Sequence, residues 1–114
     1  MATVALGFPP IALTVTLSAD ADFFTTLVNA DGWDSGISIE LRFPVPGVDS
    51  ASWVAWPATI DGTQATWDVS KNLVNVVVAQ AAAIGGSGRA RVRLHYVDAD
   101  GSDLLWGEGP IDVA

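Results

Sequence analysis

The chain has 114 residues, half of them hydrophobic and only 16% charged, against about 25% charged in an ordinary soluble domain. That length suits one domain spanning residues 1–114 around a single core. Five Lys and Arg against thirteen Asp and Glu leave a net charge of −8, which excludes a generic nucleic-acid binder because phosphate neutralisation needs clustered cations; the absence of Cys excludes a disulfide framework, a thiolate nucleophile and a zinc–thiolate site.

The N-terminus has no basic stretch, and its apolar run is broken by Gly7, Pro9 and Pro10, so no secretory leader is predicted. No apolar run reaches the roughly 18 residues of a membrane span, and no membrane partner is expected. Strand edges beginning near Thr3 and ending at Ala114 are expected to be free to pair with another subunit. Ile11, Leu13, Val15 and Leu17 then alternate with Ala12, Thr14 and Thr16, the period-two pattern of a half-buried strand.

Phe23 to Asn29 reads as a second strand, closed by Asp31-Gly32, whose Gly tolerates the positive φ of a tight turn. Ile37, Ile39, Leu41 and Phe43 alternate with Ser38, Glu40 and Arg42, and Pro44, Pro46 and Gly47 end that strand. Trp56 to Ile60 forms a further strand-like segment before Asp61-Gly62, followed by Ala65, Trp67 and Val69 at alternate positions.

Ser70 is placed to cap a short helix over residues 71–83, closed by Gly85 and Gly86 in the Gly-rich turn that continues to Ser87 and Gly88. Leu73, Val76, Val77, Gln80 and Ile84 fall near helical spacing. The run Val76-Val77-Val78 favours a strand instead, which would add one member to the sheets. Ala90, Val92, Leu94 and Tyr96 next alternate with Arg89, Arg91, Arg93 and His95; Asp100-Gly101 turns the chain into Leu104, Leu105 and Trp106. A break at Gly107, Gly109 and Pro110 precedes Ile111 and Val113. Seven or eight short strands with one helix predict an all-β, antiparallel, two-sheet β-sandwich of Ig-like type.

Three of the five basic residues and the only His share the outward side of one predicted strand: Arg89, Arg91, Arg93 and His95. One reading is an interface that docks an acidic surface, such as a neighbouring copy. The weightier one is a solvated face neutralised by carboxylates such as Glu40 or Asp68. Asp98, Asp100 and Asp103 around Gly101, and Asp20 with Asp22, suggest calcium. The Gly falls at the wrong position for an EF-hand loop, and Asp in such turns caps its own backbone, so no metal is expected. His95 sits mid-strand, nothing fixes a carboxylate pair, and Gly85 to Gly88 lacks the Lys of a phosphate loop. No catalytic residue and no cofactor are therefore assigned. Of the five Trp, Trp67 and Trp106 read as core. Trp33, Trp53 and Trp56 are expected to be partly exposed, as interface anchors, a sugar platform or plugs at the sandwich ends.

In order, the motifs are Asp31-Gly32-Trp33, the alternating strand to Phe43, the Trp-rich segment, Gly62-Thr63-Gln64-Ala65-Thr66-Trp67, the helix, Arg91-Val92-Arg93-Leu94-His95-Tyr96, and the Trp106-Gly107-Glu108-Gly109 ending. This series resembles the LtfC-like β-sandwich domain of virion proteins from phages that infect actinobacteria, over roughly residues 11–113. The resemblance implies a non-enzymatic virion protein, assembled in the host cytoplasm, tail-associated, with other virion proteins and further copies of itself as partners. It carries no catalytic residues to this chain. The sequence departs from fibre proteins in having no stalk or receptor-binding tip, which leaves open a capsid or head–tail accessory role. A competing reading is a carbohydrate-binding module that contacts a host-surface glycan through Trp33, Trp53 or Trp56.

Overall fold

The computed structural model describes residues 11–86 and 89–114. The strand edge expected near Thr3 lies outside them, as do Ser87 and Gly88 of the Gly-rich turn. Among the described residues, nine strands and one α-helix follow in chain order: β1 (Ile11–Ala12), β2 (Val15–Leu17), β3 (Phe23–Val28), β4 (Ser38–Phe43), β5 (Val54–Pro57), β6 (Thr59–Asp61), β7 (Gln64–Val69), α1 (Lys71–Ile84), β8 (Arg91–Val97) and β9 (Asp103–Val113). They form a two-sheet sandwich. The first sheet has the order β1-β9-β8-β4-β5, with β2 also on β9, and the second is β3-β7-β6.

This is the Ig plan, in which three strands of one sheet face a sheet that carries an extra edge strand. In the four-stranded Ig sheet a further strand flanks the one equivalent to β3. Among the described residues that place is empty, and the N-terminal strands lie on β9 instead.

The expected alternation holds where it was strongest. Ile39, Leu41 and Phe43 on β4, Ala65, Trp67 and Val69 on β7, and Val92 and Leu94 on β8 all point inward and are buried. Removing such side chains from water contributes about 1.5–3 kcal/mol for each of the larger ones. The two sheets are joined through Trp56 of β5. Its ring meets Phe43 edge-on at 4.5 Å and Phe23 of the other sheet at 5.7 Å. Its carbonyl accepts the Trp67 indole N–H at 2.8 Å.

Four segments differ from expectation. The Ile11–Leu17 strand is two short pieces, both parallel to β9, whereas every other pairing is antiparallel. The break at Leu13 and Thr14 has a cause on β9. Ile111 N–H donates to Ala90 O at 2.9 Å on the β8 side, so alternation turns the donorless nitrogen of Pro110 toward β1 and β2. Beside it the Leu13 backbone crosses directly over Gly109. Gly107, Gly109 and Pro110 accordingly lie within one continuous β9, whose irregularity is a register shift where Leu94 pairs with Gly107 and His95 with Leu105.

The segment Trp56 to Ile60 is split between sheets. Trp56 belongs to β5, Ile60 to β6, and Ala58 N–H donates to Ile39 O at the switch. The helix spans Lys71–Ile84 and buries Val74, Val77 and Ala81. Leu73 and Val76, expected on the buried stripe, are about half exposed. The stripe that packs runs through Val74, Val77 and Ala81 at spacings of three and four, so Val77 is buried as expected and Ile84 packs on the core, while Val74 and Ala81 stand in for Leu73 and Val76. Ser70 makes no side-chain cap; Asp22 accepts the Lys71 N–H at 2.8 Å instead. Asp20 and Asn75 exchange two further bonds, which seats the helix across the end of the sandwich near the β2–β3 turn.

A methyl group on Gly109 would lie 1.5 Å from Leu13 O, an overlap with backbone that no rotamer change relieves. Gly109→Ala is expected to lower stability by roughly 3 kcal/mol or more, read as a drop in the urea midpoint. Gly47→Ala, with open space around it, is expected to lose about 1 kcal/mol from its positive φ alone.

Candidate functional site

The polar side chains of the first sheet gather on its outward face. In the register Arg42 of β4 lies directly opposite Arg93 of β8, and Arg93 lies opposite Glu108 of β9. Two like charges facing each other across a ladder repel, and carboxylates resolve the conflict. Arg93 Nε donates to Glu108 at 3.0 Å. Arg42 donates through Nε to Glu40 and through Nη1 to Asp103 at 2.8 Å. His95 Nδ1 lies 2.7 Å from the other oxygen of Asp103, and Arg91 reaches Glu108 loosely at 3.7 Å. The Arg93 guanidinium also covers the Trp53 ring at 5.5 Å, a cation–π contact.

The network holds three arginines and three carboxylates, so it is neutral apart from His95. The net charge of −8 is therefore carried by the rest of the molecule. Burial raises the Asp103 carboxyl, but hydrogen bonds and charges from His95 and Arg42 outweigh this and hold it below its ordinary 3.8. Partial burial disfavours the Arg42 cation, and the bonds to Asp103 and Glu40 more than reverse the effect, raising its pKa.

The structure brings Arg91, Arg93, His95 and Trp53 together on this face. It does not bring Arg89 to them. Arg89 precedes β8, is exposed, and folds its side chain against Gly85, because the strand begins only at Arg91. The carboxylates also differ from those expected. Glu40 takes part, Asp68 lies on β7 in the opposite sheet, and Asp103 and Glu108, which no pattern in the sequence singles out as partners, hold the centre.

Trp56 is corrected from a partly exposed anchor to a core residue, 4% exposed. Its alternation with exposed Ala55 and Pro57 turns it inward between the sheets. Trp53 is half-buried and donates its indole N–H to Val48 O at 3.0 Å. Trp33 is half-buried at the other end of the sandwich from α1. There it meets Trp106 at 5.9 Å, and Trp106 stacks on Tyr96 at 4.5 Å, which closes that end with three rings. Burial, then the charges of Asp34 and Asp98, raise the Tyr96 phenol above its ordinary 10.0. The acidic turns bind backbone: Asp98 accepts the Ala99 N–H and Asp100 the Ser102 N–H.

A second feature has no counterpart in the sequence reading. Among the described residues, the sandwich stands open between β2 and β3 as a groove of about 400 Å³, lined by Leu13, Val15, Phe23, Leu27, Trp67 and Leu94. Its lip is β3, an outer strand of the second sheet. The Phe23-Phe24 doublet, which breaks alternation, was the one available signal: Phe23 packs on the core and Phe24 stands 68% exposed.

Because Asp103 is held below 3.8, its contribution to stability is complete above that value and is lost as pH falls through the lower folded-state value. Asp103→Asn is expected to cost about 1 kcal/mol at pH 7, the scale of a partly exposed pair screened by solvent. It should also flatten the fall in urea midpoint between pH 4 and pH 2; an unchanged acid limb would mean that other carboxylates govern it.

No curated protein matches the chain. A family model described as "LtfC-like, beta-sandwich domain" matches residues 9–114, nearly the whole length, and the chain belongs to that family.

Proposed function

We propose that this chain is a non-enzymatic structural component of a phage virion, associated with the tail, that works by binding other virion proteins. The observation that carries the reading is a side of the sandwich left open among the described residues, with an apolar groove and the uncharged strand β3 available for contact. Exposed apolar surface of this kind usually marks an interface. Membership of the LtfC-like family supports the same reading, because the resemblance to that family implies a virion protein.

On the outward face of the first sheet, most of the basic side chains are already held. Arg42, Arg93 and His95 are held within the ion-pair network. Arg91, half exposed and only loosely paired, is the arginine left on this face to steer an acidic partner, while exposed Arg89 and Lys71 lie outside it. A sugar platform built on Trp56 is inconsistent with its burial, and Trp53 presents its ring to Arg93.

The test is sedimentation of purified particles with an antibody against this chain. The chain is expected in the virion band, with label at the tail by electron microscopy. Label at the capsid or head–tail junction would move the assignment there, and recovery only as free protein in the lysate would overturn it.

A further inference from the structure

We propose that the outer edge of β3 pairs antiparallel with the same edge of a second copy, about a twofold axis at Thr26. The inference concerns one surface and does not depend on the virion reading.

The backbone supplies the first observation. Asn29 N–H donates to Thr63 O at 2.8 Å, continuing the β3–β7 register. Main-chain groups alternate in direction along a strand, so Phe23, Thr25, Leu27 and Asn29 address β7 and Phe24, Thr26 and Val28 point outward. No strand among the described residues receives them. The same three residues turn their side chains to the outer face, and Phe24 and Val28, at 68% and 61%, are its most exposed large hydrophobic groups.

Natural edges are protected by short length, charge, proline or bulges. The other outer strands show such devices: β1 and β2 have two and three residues, β5 ends in Pro57, and β6 has three residues and ends in Asp61. β3 runs six residues as Phe-Phe-Thr-Thr-Leu-Val, with no charge and no proline, and its ladder with β7 is unbroken.

Only a register whose opposed residues share parity keeps inner faces with inner and outer with outer. With Thr26 opposite itself, Phe24 faces the partner's Val28 and all three outward residues are in hydrogen-bonded positions. With Thr25 at the centre, Val28 would face Asp22. In a protein of charge −8, this neutral strip is where two copies can approach. Six residues span roughly 20 Å, and a sandwich with its side chains is about as thick, so contact buries roughly 800 Å² in total, which belongs to the weak, transient class. The dimer is accordingly expected at roughly 100 µM and above.

The chain has no Cys, so in Thr26→Cys every disulfide must join two copies. Opposed Cα atoms in a hydrogen-bonded antiparallel pair are about 5.5 Å apart, within disulfide reach. Under mild oxidation at roughly 100 µM, cross-linking at least tenfold faster than in Thr59→Cys, on the β6 edge, is expected. Thr26→Pro removes only an outward N–H, which an edge strand tolerates. This variant and Phe24→Lys should stay folded by circular dichroism yet be monomeric by light scattering. Added salt should strengthen the wild-type dimer by screening the shared charge, whereas it would weaken a contact made through Arg89 and Arg91. The amides of Phe24, Thr26 and Val28 should become protected from hydrogen exchange as concentration rises. Equal cross-linking of the two Cys variants would overturn the proposal. So would protection of those amides independent of concentration, which would mean that another part of the same chain covers the edge. Either result would leave the particle experiment unaffected.

Discussion

Everything in this sandwich turns on how the two sheets are held face to face, and Trp56 is where that happens. Its carbonyl accepts the buried indole N–H of Trp67 from the opposite sheet, while its ring lies against Phe43 on one side and Phe23 on the other. A neutral hydrogen bond contributes only about 1 kcal/mol net, but here it is directional and sits inside an aromatic cluster, so it fixes the offset of the sheets as well as their spacing. The alternating aliphatic residues supply most of the burial energy; the Trp pair determines which of many stackings they adopt. β5, β7 and the chain switch at Ala58 follow from it.

What could be read from the residues was local. Period-two alternation located β4, β7 and β8 and their inward faces because one-sided burial writes itself directly into spacing. The Asp-Gly pairs marked turns for a similarly local reason, and Gly32, Gly62 and Gly101 all adopt positive φ. Partnership between strands was not legible. Nothing near Arg93 in sequence indicates that Glu108 will be its neighbour, or that Asp103 will serve both Arg42 and His95; those follow from the β4-β8-β9 order. The helix stripe was ambiguous because almost every residue from Leu73 to Val78 is apolar, and only the contact with the sheets selects Val74 over Leu73. Trp56 was misjudged for the same reason: a flanking loop rich in Pro and Gly says less about exposure than the sheet that the strand joins.

The two faces of the first sheet and the open side divide the surface into unlike regions. The ion-pair network matches its arginines with carboxylates one for one, so it favours a fixed ladder more than it attracts partners. The groove and the β3 lip are the reverse, with no ionic character and with main-chain and apolar groups that still have capacity to bind. For a member of the LtfC-like family, contact through such an edge would be insensitive to the identity of most surface side chains, since main-chain hydrogen bonds carry it.

The parallel strands β1 and β2 have a consequence for the order in which the chain can be built. Their partner β9 lies almost a full chain length away, with Ile11 beside Gly107 and Leu17 beside Val113. During synthesis these N-terminal strands emerge first and find their ladder last, after β8 and β9 have paired. Such distant closures are entropically expensive and slow. Until the ribosome has delivered β9, the segment of β1 and β2 that lines one side of the groove has no ladder to hold it, and the nascent chain is most exposed to misassembly in that interval.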